Sequence, residues 1–195
     1  MPEIILASQS PRRKTLLEWA QLECAVIVSE SEEHFPETLA PEKAPMYIAT
    51  NKALAVQLKI KNEFPAHLHK CIIAADTIVL LEGIIMGKPT DREDAILSLQ
   101  RLSGKSHQVI TGVSILYEGK SYSFDETTVV TFHPLTDEQI IYYVDNFKPY
   151  DKAGGYAIQE WIGVIGIKSI QGDFYNVMGL PVSTLMQKIK QLGII

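Results

Sequence analysis

Asp76 sits inside the most apolar stretch of this 195-residue chain, and a carboxylate among such neighbours points to chemistry. Cys71 to Ala75 before it and Ile78 to Leu81 after it have the small and β-branched composition of a buried strand. Leaving a charge bare there costs on the order of several kcal/mol, so Asp76 must be paired, protonated or bound to a metal. Glu82-Gly83 then suits a tight turn, Ile84 to Met86 a short returning strand, and Gly87-Lys88-Pro89 ends that strand with a cation. Asp76 and Lys88 are therefore expected to face one cleft.

A second concentration of polar groups lies in Ser8-Gln9-Ser10-Pro11-Arg12-Arg13, at the start of a helical stretch carrying Leu16, Leu17 and Ala20. Ser10 suits the N-cap and Pro11 the first helical position. Free N–H groups and the positive end of the helix dipole, joined by two hydroxyls and two guanidiniums, make an anion site; an ordinary capped helix with solvated arginines is the alternative. Lys52 belongs to a helix expected over Pro45 to Ile60, where Ala49, Ala53, Val56 and Ile60 form an apolar stripe that Lys52 borders. Taken alone it is a lysine with its stem on the core and its ammonium in water. The acidic run Ser29-Glu30-Ser31-Glu32-Glu33 is, on the same terms, a solvated loop.

The elements that must position these residues alternate between strand and helix. Strands are expected at Glu3 to Ala7 and over residues 22–28, and a capping box at Thr90-Asp91-Arg92-Glu93 opens a helix buried through Ala95, Ile96, Leu99 and Leu102. His107 to Tyr117 and Ser121 to Phe132 read as a long hairpin around Glu118-Gly119-Lys120. Thr136-Asp137-Glu138-Gln139 starts another capped helix, and Pro181 opens a last one with Leu185 and Ile189 inward. Between them, Asp151 to Asp173 is glycine-rich and is expected to form short strands near a ligand. The class is α/β, one domain over residues 1–195, without internal repeat or interdomain linker.

A net charge of −5 and the lack of any basic run argue against a nucleic-acid binder. No 18-residue apolar run exists to cross a membrane, and the N-terminal apolar piece is too short for a signal peptide. Cys24 and Cys71 are far apart in sequence and are expected to be reduced thiols in the cytoplasm. Generic motifs fail. Gly83 to Lys88 is one residue short of a phosphate-binding loop and has Pro89 where the metal-binding hydroxyl belongs; the five histidines lack metal-ligand spacing; no serine has a nucleophile-elbow context. Carboxylates, lysines, arginines and hydroxyls remain, the inventory used on polyphosphates.

In order along the chain, ASQSPRR, AADT, GKP, LSGKSHQVITGV, DKAGGYAIQ and GDFYNVMGLP resemble the motifs of the Maf family of nucleoside triphosphate pyrophosphatases, a likeness spanning nearly the whole sequence. It implies a two-lobed α/β fold with a mixed sheet flanked by helices and a central cleft, similar to that of inosine triphosphate pyrophosphatases. It also implies a nucleoside triphosphate substrate, a divalent cation (Mg²⁺ or Mn²⁺) and a homodimer. Carried over residue by residue, the catalytic group is Asp76, the cleft acid Glu33, and the phosphate-facing cations Lys52, Lys88 and Arg13; beside them, Ser8 with the following helix N-terminus would supply neutral donors to the phosphates. Asp76 and Glu33 would be the metal ligands. The subgroup that hydrolyses dTTP and UTP, and with them modified pyrimidine triphosphates, sets base choice at positions that match Arg12, Thr77 and Gln159. Where family members commonly have glycine after that glutamine, this chain has Glu160-Trp161, which could narrow or reshape the base pocket. The competing expectations are a nucleotide-binding regulator of septum formation without essential catalysis, and an enzyme of the same family with another base preference.

Overall fold

A computed structural model of the protein describes residues 4–30 and 34–195. Strands β1 (Ile4–Leu6), β2 (Cys24–Val26), β3 (Cys71–Leu81), β4 (Ile84–Met86), β5 (Ser106–Tyr117), β6 (Lys120–Phe132) and β7 (Ile167–Gln171) form one seven-stranded sheet in the order β2-β1-β3-β5-β6-β7, with β4 on β3 off that path. It is mixed: β1 is parallel to β2 and β3, whereas β4 is antiparallel to β3 and β7 to β6. Helices α1 (Pro11–Trp19), α2 (Ala44–Glu63), α3 (Arg92–Leu102), α4 (Asp137–Phe147), α5 (Trp161–Gly166), α6 (Phe174–Met178) and α7 (Val182–Gln191) flank it, as expected of an α/β protein. The chain divides into two compact units. One holds the residues up to Asp76, Thr111–Glu126 and Gly179–Ile195; the other holds Thr77–Ile110 and Thr127–Met178.

In the first unit the parallel pairing of β1 with β3 sets Ile5 opposite Ile72, and the alternation of a strand puts Ile5, Ala7, Ile72 and Ala74 on one face. That face packs against Ala53, Val56 and Ile60 of α2. Ile4, Leu6, Ile73 and Ala75 on the other face are buried as well, which is why the strands read as continuous apolar runs. Burial of each aliphatic side chain contributes about 1.5–3 kcal/mol, and here it does so on both faces of the strands. The N-terminal end of α2 comes down on the backbone of β5. A Cβ added at Gly112 would lie 2.2 Å from the backbone nitrogen of Met46, so only glycine admits the helix this closely. Thr50 donates to the Met46 carbonyl at 2.9 Å and meets the Ser123 hydroxyl at 3.4 Å, fixing the next turn of α2.

The second unit shows where local sequence signals misplace elements. The box expected at Thr90–Glu93 sits one residue later: Asp91 is the N-cap, its carboxylate accepting from the Asp94 amide at 2.9 Å, while Asp94 accepts from the Thr90 amide. Aspartate outcompetes threonine for the cap because its acceptor is charged. The glycine-rich segment is not a set of short strands. It folds as a tight turn over Ala153–Gly155, the helix α5 and then β7, and α6 follows where no helix was expected. The Thr136 box does form, with Gln139 answering it at the start of α4. Among the described residues no helix is long and apolar enough to cross a membrane.

His107 of β5 is buried, with Nε2 2.7 Å from the Tyr156 hydroxyl and its ring stacked on Phe132. Burial pushes its pKa from 6.5 down to about 4. The unfolded chain therefore takes up this proton at a higher pH than the folded chain, and stability contributed by neutral His107 is lost as pH falls from about 6.5 to about 4, by at most about 3 kcal/mol. Urea unfolding at pH 7 and pH 4.5 should show a smaller acid loss for His107→Gln than for the unmutated protein. Equal losses would remove His107 from the acid sensitivity.

Candidate active site

The face that buries Ile72 and Ala74 against α2 continues, two residues on, to Asp76. On α2, Lys52 immediately precedes Ala53, a member of the same cluster, and it reaches Asp76. Its Nζ lies 2.7 Å from Asp76 Oδ1, with the two side chains 16% and 13% exposed. The strand thus carries its carboxylate just past Ala74, the last β3 residue of that cluster, and the pairing demanded by partial burial is met by the lysine. That exposure leaves both groups within reach of a ligand.

Four residues of the same unit build the second element of the site. Ser8 follows β1 and is buried; its hydroxyl oxygen accepts from the Ser10 amide at 3.2 Å and from Arg13 Nη1 at 3.0 Å. Arg13, also buried, donates from Nε to the Gly179 carbonyl at 2.8 Å, so its guanidinium is fixed from two sides at the first turn of α1. Arg12, one position earlier, is half-buried. Pro11 is the first helical residue and Ser10 the N-cap, as the sequence suggests, but the Ser10 hydroxyl caps nothing and Ser8 takes up an amide there instead. Arg13 is a held group rather than a freely solvated one. Glu33 lies outside the described residues.

In the second unit Thr77 follows Asp76 along β3, half-buried, and Lys88 is exposed between β4 and α3. Sequence reasoning gave no reason for the pairing of this segment with the glycines of DKAGGYAIQ. The Gly154 amide donates to the Gly87 carbonyl at 2.9 Å, and a Cβ on Gly155 would stand 3.1 Å from Pro89 Cγ. Both glycines have positive φ, 69° and 71°, so the double glycine was the available signal: it marks a turn that other residues would strain. Gln159 is exposed at the third position of a turn closed by the Glu160 amide on the Ala157 carbonyl at 3.1 Å. Glu160 does not follow Gln159 outward. Its carboxylate accepts from the Tyr143 hydroxyl and lies 3.5 Å from Lys152 Nζ. Tyr143 and Lys152 are the residues that sequence reasoning missed.

Among the described residues no group of three or more His, Cys, Asp or Glu could hold a metal ion. A hard divalent cation that takes one or two carboxylates and completes its shell with water and substrate phosphates needs no such cage, and Asp76 at the edge of the packed face fits that pattern. The described groups can bind an anion, neutralise its charge and accept a proton.

Residues 3–192 match the family model of the Maf-like proteins. Curated relatives include one from Phocaeicola vulgatus, 49% identical over 97% of this chain and 96% of its own length, and one from Cytophaga hutchinsonii, 49% identical over 97% and 84%. A third, from Porphyromonas gingivalis, is 46% identical over 98% of this chain and 94% of its own; all three are described as dTTP/UTP pyrophosphatases. Among solved structures the Staphylococcus aureus Ham1 protein aligns with 66% of this chain and 71% of its own at 16% identity and a TM-score of 0.44. With the family model covering nearly every residue and close relatives aligned end to end, the chain belongs to the Maf family.

Proposed function

We propose that the protein hydrolyses dTTP and UTP to the nucleoside monophosphate and pyrophosphate, acting in the cytoplasm on the nucleotide pool as a homodimer, with residues 1–195 as one functional domain. The observation that carries the reading is the Asp76–Lys52 pair, 2.7 Å apart beside an apolar cluster, in a chain that is near half identical to relatives described as dTTP/UTP pyrophosphatases. A binding protein that only reported nucleotide level would have little use for a carboxylate placed in this way.

Hydrolysis at the α-phosphorus needs a water aligned with the bond to the leaving pyrophosphate, a base for its proton and positive charge along the phosphates. Asp76 is the acceptor that orients the water and takes its proton. Lys52 steadies the Asp76 carboxylate and presents its charge to the phosphates. Arg13 offers a guanidinium fixed by Ser8 and Gly179, so little ordering entropy is lost when an anion binds it. Ser8 and the α1 N-terminus supply neutral donors, and Lys88 adds a further cation. A Mg²⁺ or Mn²⁺ held by Asp76 together with Glu33 would supply charge neutralisation at the phosphate oxygens. Base choice falls to Arg12, Thr77 and Gln159, and pyrimidine triphosphates modified away from the edge that Gln159 reads would also be substrates.

Asp76→Asn keeps the shape of the side chain and removes the base, so turnover of UTP should fall at least about a hundredfold. Because the ion pair with Lys52 becomes a hydrogen bond to a neutral amide oxygen, the variant should be less stable by up to about 1 kcal/mol. A folded variant with near-normal turnover would take Asp76 out of the reaction.

A glutamine amide can donate to O4 and accept from N3–H of uracil or thymine, a pattern that cytosine inverts. Each buried polar group left without its partner costs about 1–3 kcal/mol, so kcat/KM for dTTP and UTP should exceed that for CTP at least about tenfold. Gln159→Ala should erode this preference more than it slows CTP. Equal values for UTP and CTP in the unmutated protein would refute the base assignment.

A further inference from the structure

We infer that Tyr143 and Glu160 are positioning residues that clamp the Gln159 turn and so set base selectivity; this rests on the base-reading role proposed for Gln159. The turn runs from Ala157 to Glu160, and one phenol on α4 holds both ends of it. The Ala157 amide donates to the Tyr143 hydroxyl at 3.1 Å, and that hydroxyl donates in turn to Glu160 Oε2. Backbone pairing of Glu160 with Ala157 closes the ring of contacts. Gln159, between these anchored positions, is the exposed member.

Three further observations show a built device rather than a chance contact. Glu160 is the N-cap residue of α5, and its side chain makes no capping bond. Its side chain goes instead to Tyr143 and toward Lys152, a buried lysine whose Nζ is 3.5 Å from Glu160 Oε1 and 2.7 Å from Asp151 Oδ1. The adjacent Trp161 packs on Tyr142, ring centroids 4.8 Å apart, so two successive residues of α4 grip the two residues after Gln159. Helix α4 is itself anchored. Its N-terminus carries a complete capping box, Tyr143 is fully buried, and Asp145 takes both Nε and Nη2 of Arg92 on α3 at 2.6 and 3.0 Å.

The consequence concerns recognition. A glutamine amide discriminates uracil from cytosine only while its oxygen and nitrogen are presented in one orientation, since a rotated amide offers cytosine the complementary pattern. A fixed backbone on both sides of Gln159 removes freedom that would otherwise blur the distinction. Glu160, held at Tyr143, is kept from offering its carboxylate to the cytosine amine.

The test compares kcat and KM for UTP, dTTP and CTP in Tyr143→Phe, Glu160→Ala and Glu160→Gln, each checked for folding by thermal melting. Tyr143→Phe removes a single oxygen from a buried ring and should fold. Tyr143→Phe and Glu160→Ala are expected to lower the UTP-to-CTP ratio of kcat/KM about three- to tenfold, mainly through a higher KM for UTP, with kcat for CTP changed less than about twofold. Glu160→Gln keeps an acceptor for the Tyr143 hydroxyl and should restore most of the ratio. A ratio unmoved in folded Tyr143→Phe and Glu160→Ala overturns the clamp while leaving the role of Gln159 standing. No preference for UTP in the unmutated protein overturns the base reading itself and the clamp with it, a failure visible before any variant is measured.

Discussion

Much of this structure follows from the need to put one carboxylate on the most apolar strand of the sheet. Asp76 shares a face with Ile72 and Ala74, which α2 buries, so what meets the carboxylate comes from α2, from a position that borders its apolar stripe. Lys52 meets that requirement at 2.7 Å. The position of Lys52 then depends on the register of α2 over the sheet, which in turn depends on Ala53, Val56 and Ile60 below it and on Gly112 admitting the helix N-terminus above it. The reactive pair is a product of core packing: an error in the packing of Val56 would be felt at the site.

The first unit was largely legible in the sequence because its signals are periodic or covalent. Ala49, Ala53, Val56 and Ile60 announce a helix by spacing, and a run such as Cys71 to Ala75 has few alternatives to a buried strand. The conflict at Asp76 could likewise be read directly, since physics forbids it without a partner. Which partner could not be read, because Lys52 and Asp76 are 24 residues apart and only the fold brings them together. Without the family resemblance Lys52 would have passed for a surface lysine.

The second unit hid its organisation for the opposite reason. From Asp151 to Asp173 the glycines break every periodic signal, and the short helix α5 gains its stability from contacts distant in sequence, such as Trp161 on Tyr142. The Gly154 amide to the Gly87 carbonyl and the Tyr143 hydroxyl to Glu160 are likewise pairings that no local pattern announces. Glu160 shows the cost of reading composition alone. A carboxylate beside a base-reading glutamine suggests interference with the pocket, whereas its hydrogen bond to Tyr143 turns it into part of the support.

Assigning the reaction to Asp76 and the phosphate-facing cations makes a claim about which bond breaks, and isotope labelling answers it. UTP turned over by the purified protein in ¹⁸O-water, with the products separated and weighed by mass spectrometry, should yield UMP carrying one ¹⁸O and pyrophosphate carrying none. Label in pyrophosphate, or release of labelled orthophosphate with UDP, would place the attack at the β- or γ-phosphorus and contradict the account.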